Sequence, residues 1–376
     1  FAKAYSGANI DGASVQYRVV RTANFPFWWW YRWGWYPKSA DVEIVNGSAT
    51  TDENGKFIID FKAIPDLSVD RASDPTFNYT VYADVTDING ETHSSSTVIS
   101  VAYKSLVVGI SMSDIDKAKP AKTKFDIITN NLAGQFQAAK GMIKIFSLKS
   151  PDKAFRARMW EQADRSIYSK EEYYKLFPHD LFADETNKFK WPRQKDVLSV
   201  MFDSEKSKVL EIADFSNWTE GEYVAEITSR DKDGNEVKEV SYFSVFNTQA
   251  KTLAVPAVHD YKPIKMSVEP GEKASFVTGT SEPSVHVLYE LELDGTLVSS
   301  QWIMLNKEQR LFEIQIKEGY RGNLAVHYTF VKDNRLYAEN YIIGVPYTNK
   351  ELDISFATFR DKLQPGANEE WKIIVK

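Results

Sequence analysis

The stretch YVAEITSRDKDGNE, residues Tyr223–Glu236, has an earlier counterpart in the chain, YTVYADVTDINGET, residues Tyr79–Thr92. In each copy a tyrosine is followed eight positions later by an aspartate, and three positions after that by a glycine. Apolar and polar residues alternate between the tyrosine and the aspartate, which is typical of a half-buried strand. Asp-x-x-Gly predicts a turn, because aspartate bonds the local backbone and glycine accepts positive φ. The two copies therefore predict the same β-hairpin in two repeated domains.

Further signals extend the β pattern along the chain. The turn TDENGKF at Thr51–Phe57 predicts a hairpin that continues as a strand over Lys56–Lys62. Apolar runs such as Gly141–Leu148 predict further strands, and LDGT at Leu293–Thr296 predicts a two-residue hairpin turn. Short strands separated by frequent turns indicate an all-β chain of tandem immunoglobulin-like antiparallel β-sandwiches.

One region interrupts the β rhythm. Between about residues 150 and 193 the sequence favours a short helical or irregular insertion in the second domain. Ser169–Glu172 is a capping-box pattern that predicts the start of a helix. Phe155–Arg165 has apolar residues at helical spacing, which is compatible with either form of the insertion, helical or irregular.

The segment openings predict the domain boundaries. We expect sandwiches at 1–104, with a truncated first strand, at 105–249, with the insertion, and at 250–347. Residues 348–376 would form the first strands of a further domain or a C-terminal extension. No Gly/Ser-rich linker separates the segments, so we expect a semi-rigid array.

Composition excludes several classes of protein. The net charge of −6 over 376 residues argues against nucleic-acid binding, which needs a basic field. The chain has no cysteine, which excludes disulfides, a thiolate nucleophile, a thioester and a cysteine metal site within it. No apolar run reaches the length of about 20 residues that a membrane helix needs. The absence of a signal peptide and the strand-like final residues predict a piece of a longer protein.

The order of these motifs resembles the macroglobulin-like domains of bacterial alpha-2-macroglobulins. The resemblance rests on the two hairpins, Tyr79–Thr92 and Tyr223–Glu236, and on three other motifs. These are SGANIDGASVQYRV at Ser6–Val19, TDENGKF at Thr51–Phe57 and FRDKLQPGANEEWKI at Phe359–Ile373. It covers most of the chain and implies a series of macroglobulin-like sandwiches.

The resemblance also implies a function. Proteins of this family are large envelope proteins that trap proteases after cleavage of a bait segment, often with a thioester. Neither a bait nor a thioester can be placed on this sequence, so no functional residue is carried over. We therefore expect a non-enzymatic scaffold without cofactor or metal, extracytoplasmic, in the periplasm or associated with the outer membrane. Its expected partners are proteases, through the full-length protein, and neighbouring domains of the same chain.

The usual catalytic and metal-binding patterns are weak here. Five histidines are scattered without HxxxH or HExxH spacing, and no G-x-S-x-G elbow is present. Paired carboxylates such as Asp231 and Asp233 fall in predicted turns, where aspartate bonds the backbone. A calcium loop aligned on Gly234 would need an acidic residue at Val240, so the spacing fails. The basic residues Lys117, Lys119, Lys122 and Lys124 are expected to form a solvated turn and edge strand.

The Trp-rich loop at residues 25–37, FPFWWWYRWGWYP, is the feature that invites a binding function. It contains Trp28, Trp29, Trp30, Trp33 and Trp35, with Arg32 as a cation–π partner for the rings. Exposed, these rings would form a surface for a glycan or a protein partner. Folded back, they would pack within a sandwich or between domains, since so many wet rings favour aggregation.

Three functional hypotheses therefore stand. The leading one is a structural scaffold segment of a protease-trapping (endopeptidase inhibitor) envelope protein. The alternative is a surface adhesin or glycan-binding module that uses the Trp-rich loop. A third is the accessory β region of a secreted glycosidase.

Overall fold

The computed structural model of the chain describes residues 1–4, 7–25, 39–119, 123–161, 164–358, 366 and 368–376. Its sheets are antiparallel apart from one short parallel pairing, which confirms the predicted all-β class of tandem sandwiches. The residues divide into two compact units. Unit 1 comprises 1–151 and 183–247, and unit 2 comprises 152–182 and 248–376. The finer domain boundaries stay a prediction. Among the described residues, no helix has the length and apolar character needed to cross a membrane.

The first sandwich of unit 1 is built on a four-stranded sheet. Its strands are β1 (Ser14–Asn24), β2 (Val42–Thr50), β3 (Thr76–Thr86) and β4 (Thr92–Ala102), in the order β2-β1-β3-β4. Val19, Phe77 and Tyr79 are buried on one face because successive side chains of a strand alternate between faces. Ile59 and Phe61 cover this face from an extended segment outside the sheet. The predicted strand over Lys56–Lys62 is therefore wrong: this segment contributes apolar side chains without pairing as a strand.

The second sandwich of unit 1 consists of two sheets. One has the order β10-β7-β5, with β5 (Val107–Ile110), β7 (Thr123–Asn130) and β10 (Val209–Ile212). The other has the order β6-β12-β11-β8-β9, with β6 (Ile115–Asp116), β8 (Lys140–Leu148), β9 (Arg193–Asp203), β11 (Gly221–Arg230) and β12 (Glu236–Phe246). Between them lies one apolar core that includes Phe125, Ile143, Ile227 and Phe243. Trp218 closes part of it, stacked on Tyr223 with ring centroids 5.3 Å apart.

The two repeated turns have the same hydrogen-bond pattern. In the first, the Asp87 carboxylate accepts from the amides of Asn89 and Glu91 at 2.8 and 2.9 Å. In the second, Asp231 accepts from the amides of Asp233 and Asn235 at 3.0 and 2.9 Å. The following glycines adopt positive φ, +85° at position 90 and +81° at position 234. The repeat predicted from the sequence is therefore confirmed in the turn geometry as well as in the strands.

The two repeated tyrosines differ in one respect. Tyr79 and Tyr223 are both fully buried, at 0% and 1% exposed. The Tyr223 hydroxyl donates to the Thr219 carbonyl at 2.6 Å. The Tyr79 hydroxyl is buried without a hydrogen-bond partner in the described part of the chain.

This difference predicts different responses of stability to the same substitution. We expect Tyr223→Phe to lower stability by about 1–3 kcal/mol, because it leaves the Thr219 carbonyl unpaired. Tyr79→Phe should be neutral or slightly stabilising, because it removes a buried hydroxyl that forms no hydrogen bond with the described residues. Amide hydrogen exchange of β11 and β3, measured by mass spectrometry, would report the two effects separately. Equal losses in both variants would contradict the prediction.

Unit 2 contains the third sandwich. One sheet has the order β13-β14-β17, with β13 (Asp260–Lys265), β14 (Lys273–Gly279) and β17 (Gln309–Gln315). The other has the order β16-β15-β18-β19, with β15 (Val285–Leu293), β16 (Thr296–Leu305), β18 (Gly322–Lys332) and β19 (Arg335–Val345). Asp294 and Gly295 have positive φ at the β15–β16 turn, which confirms the predicted two-residue hairpin. A separate hairpin pairs β20 (Ile354–Thr358) with β21 (Lys372–Val375).

Residues 152–182 belong to unit 2, although they lie between strands of unit 1 in the sequence. Ala154 is part of the third core. Arg156 donates to both carboxylate oxygens of Asp180 and to the Asp333 carbonyl at the β18–β19 turn. The bond to the Asp333 carbonyl attaches the segment to the third sandwich, whereas the pair with Asp180 lies within the segment.

The segment contains one helical part and one irregular part. The helix α1 spans Lys170–Leu176 and begins at the predicted capping box, in which Ser169 and Glu172 bond each other's backbone amides. For Phe155–Arg165 the sequence allowed a helical or an irregular form, and residues 155–161 are irregular, with an isolated bridge from Arg156 to Asp180. In this irregular stretch, Phe155 packs against Tyr174 of α1, with ring centroids 5.7 Å apart.

Candidate functional site

The predicted interaction residues fall in a part of the chain that the structure does not describe. Trp28, Trp29, Trp30, Arg32, Trp33 and Trp35 all lie outside the described residues. The role assigned to the Trp-rich loop therefore stays a prediction.

The histidines are dispersed over the fold. His93 is next to Glu91, His179 is next to Asp333, and His327 lies between Glu292 and Asn340. His259 lies within the third sandwich, stacked on Tyr328. Within the described ranges, no three His, Asp or Glu side chains are placed to share a metal ion.

Asp231 joins the second hairpin to the chain segment that follows the first sandwich. Besides its turn bonds, its carboxylate accepts a hydrogen bond from the Ser105 amide at 3.1 Å. Burial by itself raises the pKa of Asp231, but the bonds from Asn235 and the Ser105 amide outweigh it and lower the pKa to about 2. The oxygens of Asp231 are thus used by protein donors, which supports a structural role for the calcium-like turn.

A cavity in unit 1 combines aromatic and ionisable side chains. Its volume is about 470 Å³, within the range of small-molecule sites. We call it the aromatic cavity. Its rings are Phe189, Trp191 and Tyr242, and its ionisable residues are Asp74, Lys104, Arg193, Glu236, Lys238 and Glu239. Three acids and three bases give these lining residues no net formal charge.

The segment before β9 holds the aromatic side of the cavity in place. The Asn187 side chain accepts from the Phe189 amide and caps a single 3-10 turn over Lys188–Lys190. Phe189 then meets Tyr242 of β12 edge to face, with ring centroids 4.8 Å apart. The Trp191 indole N–H donates to the Glu185 carbonyl at 2.7 Å, which fixes the orientation of its ring.

Ion pairs order most of the charged residues around the cavity. Lys104 pairs with Asp74. Arg193 and Lys238 share the Glu226 carboxylate, at 2.7 and 2.5 Å. The Arg193 guanidinium also lies over the Phe146 ring, 5.0 Å from its centroid. These cations are therefore held by carboxylates and aromatic rings of the same unit.

Glu239 is unlike the other acids of the cavity. It lies opposite Ile227 in the β11–β12 register, so it occupies an inward-facing position of its strand. β6 pairs with only the last two residues of β12, which leaves that strand without a described neighbour on this side at position 239. Its carboxylate accepts a hydrogen bond from the Val240 amide at 3.1 Å, and no cation of the described residues lies within ion-pair distance. Burial raises the pKa of Glu239, and the nearby charge of Asp74 adds to the effect.

The sequence contained little sign of this cavity. Trp191 stands in the interrupted region between Lys190 and Pro192, where only a helical or irregular insertion was expected. Asp74, Trp191 and Glu239 come from three distant parts of the chain, so no local spacing could connect them.

These features define a protein of tandem antiparallel β-sandwiches with a mixed aromatic and charged cavity in unit 1. No family model and no curated protein matches the sequence. Among solved structures, the chain is similar to native Escherichia coli alpha-2-macroglobulin, with 12% identity and a TM-score of 0.33 over 94% of this chain and 22% of that one. The chain is also similar to trypsin-activated alpha-2-macroglobulin from E. coli. The sequence identity is 10% and the TM-score is 0.35, over 93% of this chain and 23% of that one.

A third similar structure is a tetra-tandem repeat in the extending region of a large adhesion protein. It has 13% identity and a TM-score of 0.21, over 93% of this chain and 71% of that one. This chain thus spans less than a quarter of the length of the two alpha-2-macroglobulin structures. Because all three TM-scores are low, none of these similarities assigns a function to the chain.

Proposed function

We propose that this chain is a non-enzymatic scaffold segment of an alpha-2-macroglobulin-like, protease-trapping protein of a bacterial envelope. The observation that carries the proposal is the repeated hairpin. Asp87 and Asp231 receive the same two amide hydrogen bonds in the hairpin turns of two separate sandwiches. Such repetition indicates a chain built from similar modules. In a chain of this kind, function lies in the movement of whole domains as rigid bodies.

Polar contacts within unit 1 support the rigid-body part of the proposal. The Asp231 carboxylate fixes the Ser105 amide directly after the first sandwich. One residue earlier, Lys104 pairs with Asp74. A connection held by partly buried charged hydrogen bonds resists bending more than a solvated linker does. The two sandwiches of unit 1 can therefore transmit a displacement as one piece.

The trapping function is tested on the full-length protein. It is incubated with active trypsin and, as a control, with trypsin whose active site is covalently blocked. We expect only active trypsin to change the mobility of the protein on a native gel. The bound trypsin should still cleave a small chromogenic peptide but lose activity on a large protein substrate. Unchanged mobility and full activity on the large substrate would refute the proposal.

The alternative, a surface adhesin or glycan-binding module, rests on five of the ten tryptophans being concentrated in the Trp-rich loop. Such a cluster supplies large apolar surface at low entropic cost, as binding surfaces require. Quenching of tryptophan fluorescence by acrylamide would separate the two interpretations of the loop. Strong quenching that an oligosaccharide or a protein partner suppresses would favour the adhesin, and weak quenching without ligand would favour internal packing.

A further inference from the structure

We propose that the aromatic cavity of unit 1 is a binding site for a neutral saccharide of one or two rings. This inference does not depend on the protease-trapping proposal, and none of its residues belongs to the Trp-rich loop. Three observations carry it: the hydrogen-bonded indole of Trp191, the carboxylate of Glu239, which forms no ion pair with the described residues, and the charge balance of the lining.

Trp191 is one of the residues that line the cavity. The ring is half-buried and its N–H is used by the Glu185 carbonyl, so its orientation is set before any ligand arrives. Phe189 and Tyr242 contact each other, whereas no aromatic ring in the described part of the chain stacks on Trp191. A fixed indole face suits the apolar face of a sugar ring, because it supplies a large flat surface without losing rotamer freedom on binding.

The polar lining suits hydroxyl groups. Glu239 lines the cavity from the edge of β12, on the other face of the strand from Tyr242. Among the described residues its carboxylate accepts one bond, from the Val240 amide, and it has remaining lone pairs for donors. Lys104, Arg193 and Lys238 add donors from neighbouring positions of the lining. A sugar hydroxyl donates and accepts at once, so it can bridge such groups.

The charge balance favours a neutral ligand. Three acids and three bases line the cavity, so an ion of either sign gains no net attraction from the lining. The volume of about 470 Å³ holds a small ligand and excludes a folded domain. A saccharide combines neutrality, hydroxyl groups and an apolar ring face, and it therefore fits all three observations.

The test uses the 376-residue chain and three named probes: maltose, cellobiose and N,N′-diacetylchitobiose. Saturation-transfer NMR reports binding, and the indole ¹H–¹⁵N signal of Trp191, assigned from Trp191→Phe, reports its place. We expect at least one probe to shift this signal and Trp191→Ala to weaken binding about tenfold or more, as loss of a central contact does. Trp302→Ala is the matched control, since Trp302 is exposed on β16 of unit 2 and should leave affinity unchanged.

Variants of Glu239 separate a saccharide from a cation. Glu239→Gln keeps an acceptor and should retain binding within a few-fold, whereas Glu239→Ala should lose about tenfold. A site for an organic cation would instead bind tetramethylammonium and lose it in Glu239→Gln, which would overturn the proposal. The proposal is also overturned if no probe shifts the Trp191 signal of the unmodified chain. Glu239 would then serve only to keep an open strand edge from pairing.

Discussion

Gly141→Ala is expected to destabilise the second sandwich by about 3 kcal/mol or more, the upper range for overpacking. Gly141 lies on β8 between Ser229 and Phe202 of its two neighbouring strands. A β-carbon at this position would come within 2.0 Å of the Thr228 carbonyl oxygen and 2.7 Å of the Phe202 ring. A backbone carbonyl cannot turn away by changing rotamer, so the central pairing of the sheet must shift.

The matched control is Gly109→Ala on β5 of the same sandwich. There an added β-carbon meets only Ile128, at an ordinary 3.7 Å. We expect this variant to gain about 0.4–1 kcal/mol, because alanine restricts the unfolded chain. Hydrogen exchange of β8 and β11 amides distinguishes the two variants. Similar exchange in both would show that the sheet accommodates a side chain at position 141.

In the His259→Gln variant, the free energy of unfolding of unit 2 is expected to depend less on pH in the acid range than in the wild type. His259 is stacked on Tyr328 with ring centroids 4.8 Å apart, and its Nε2 lies 2.9 Å from the Thr278 hydroxyl. That hydroxyl donates to the Asp260 carbonyl, so it accepts from Nε2 and selects the neutral Nε2–H form. Burial lowers the pKa of His259 from 6.5 to about 4.

The direction of the pH effect follows from linkage. The unfolded chain takes up this proton near pH 6.5 and the folded chain only near pH 4. The contribution of neutral His259 is therefore complete above pH 6.5, falls as pH decreases, and is lost below pH 4. The loss amounts to about 3 kcal/mol at most.

Urea unfolding of wild type and His259→Gln between neutral and acid pH measures this difference. His327→Gln is the control of opposite sign, because the hydrogen bond with Asn340 and the contact with Glu292 raise the pKa of His327. Its stabilising contribution is present below pH 6.5 and is lost as pH rises through its folded pKa. Parallel pH profiles for wild type and His259→Gln would disprove the assigned role of His259.

The hairpins could be predicted because their information is local. The aspartate at position 87 or 231 bonds amides two and four residues away, and the glycine three residues on adopts positive φ. The same holds for the capping box at Ser169, which closes within a single turn. Such contacts depend on residue type and spacing alone.

The wrong strand prediction at Lys56–Lys62 and the open alternative at Phe155–Arg165 have one physical cause. Lys56–Lys62 has alternating apolar residues but forms no strand, and Phe155 begins a helical spacing that forms no helix up to residue 161. In both stretches the apolar side chains are used for packing, by Phe61 against Tyr79 and by Phe155 against Tyr174. An apolar pattern indicates that side chains are buried. Whether the backbone of those residues forms a regular strand or helix depends on its hydrogen-bond partners.

The sequence by itself determined the β class, the repeated hairpins, the absence of cysteine chemistry and the interruption after residue 150. All of these depend on composition or on neighbours within a few residues. Only the tertiary structure assigned residues 152–182 to unit 2 and brought Asp74, Trp191 and Glu239 to one cavity. The packing of whole sheets decides which residues distant in the sequence become neighbours. The hydrophobic effect is non-directional, so a buried residue carries no local sequence signal of the residue that it packs against.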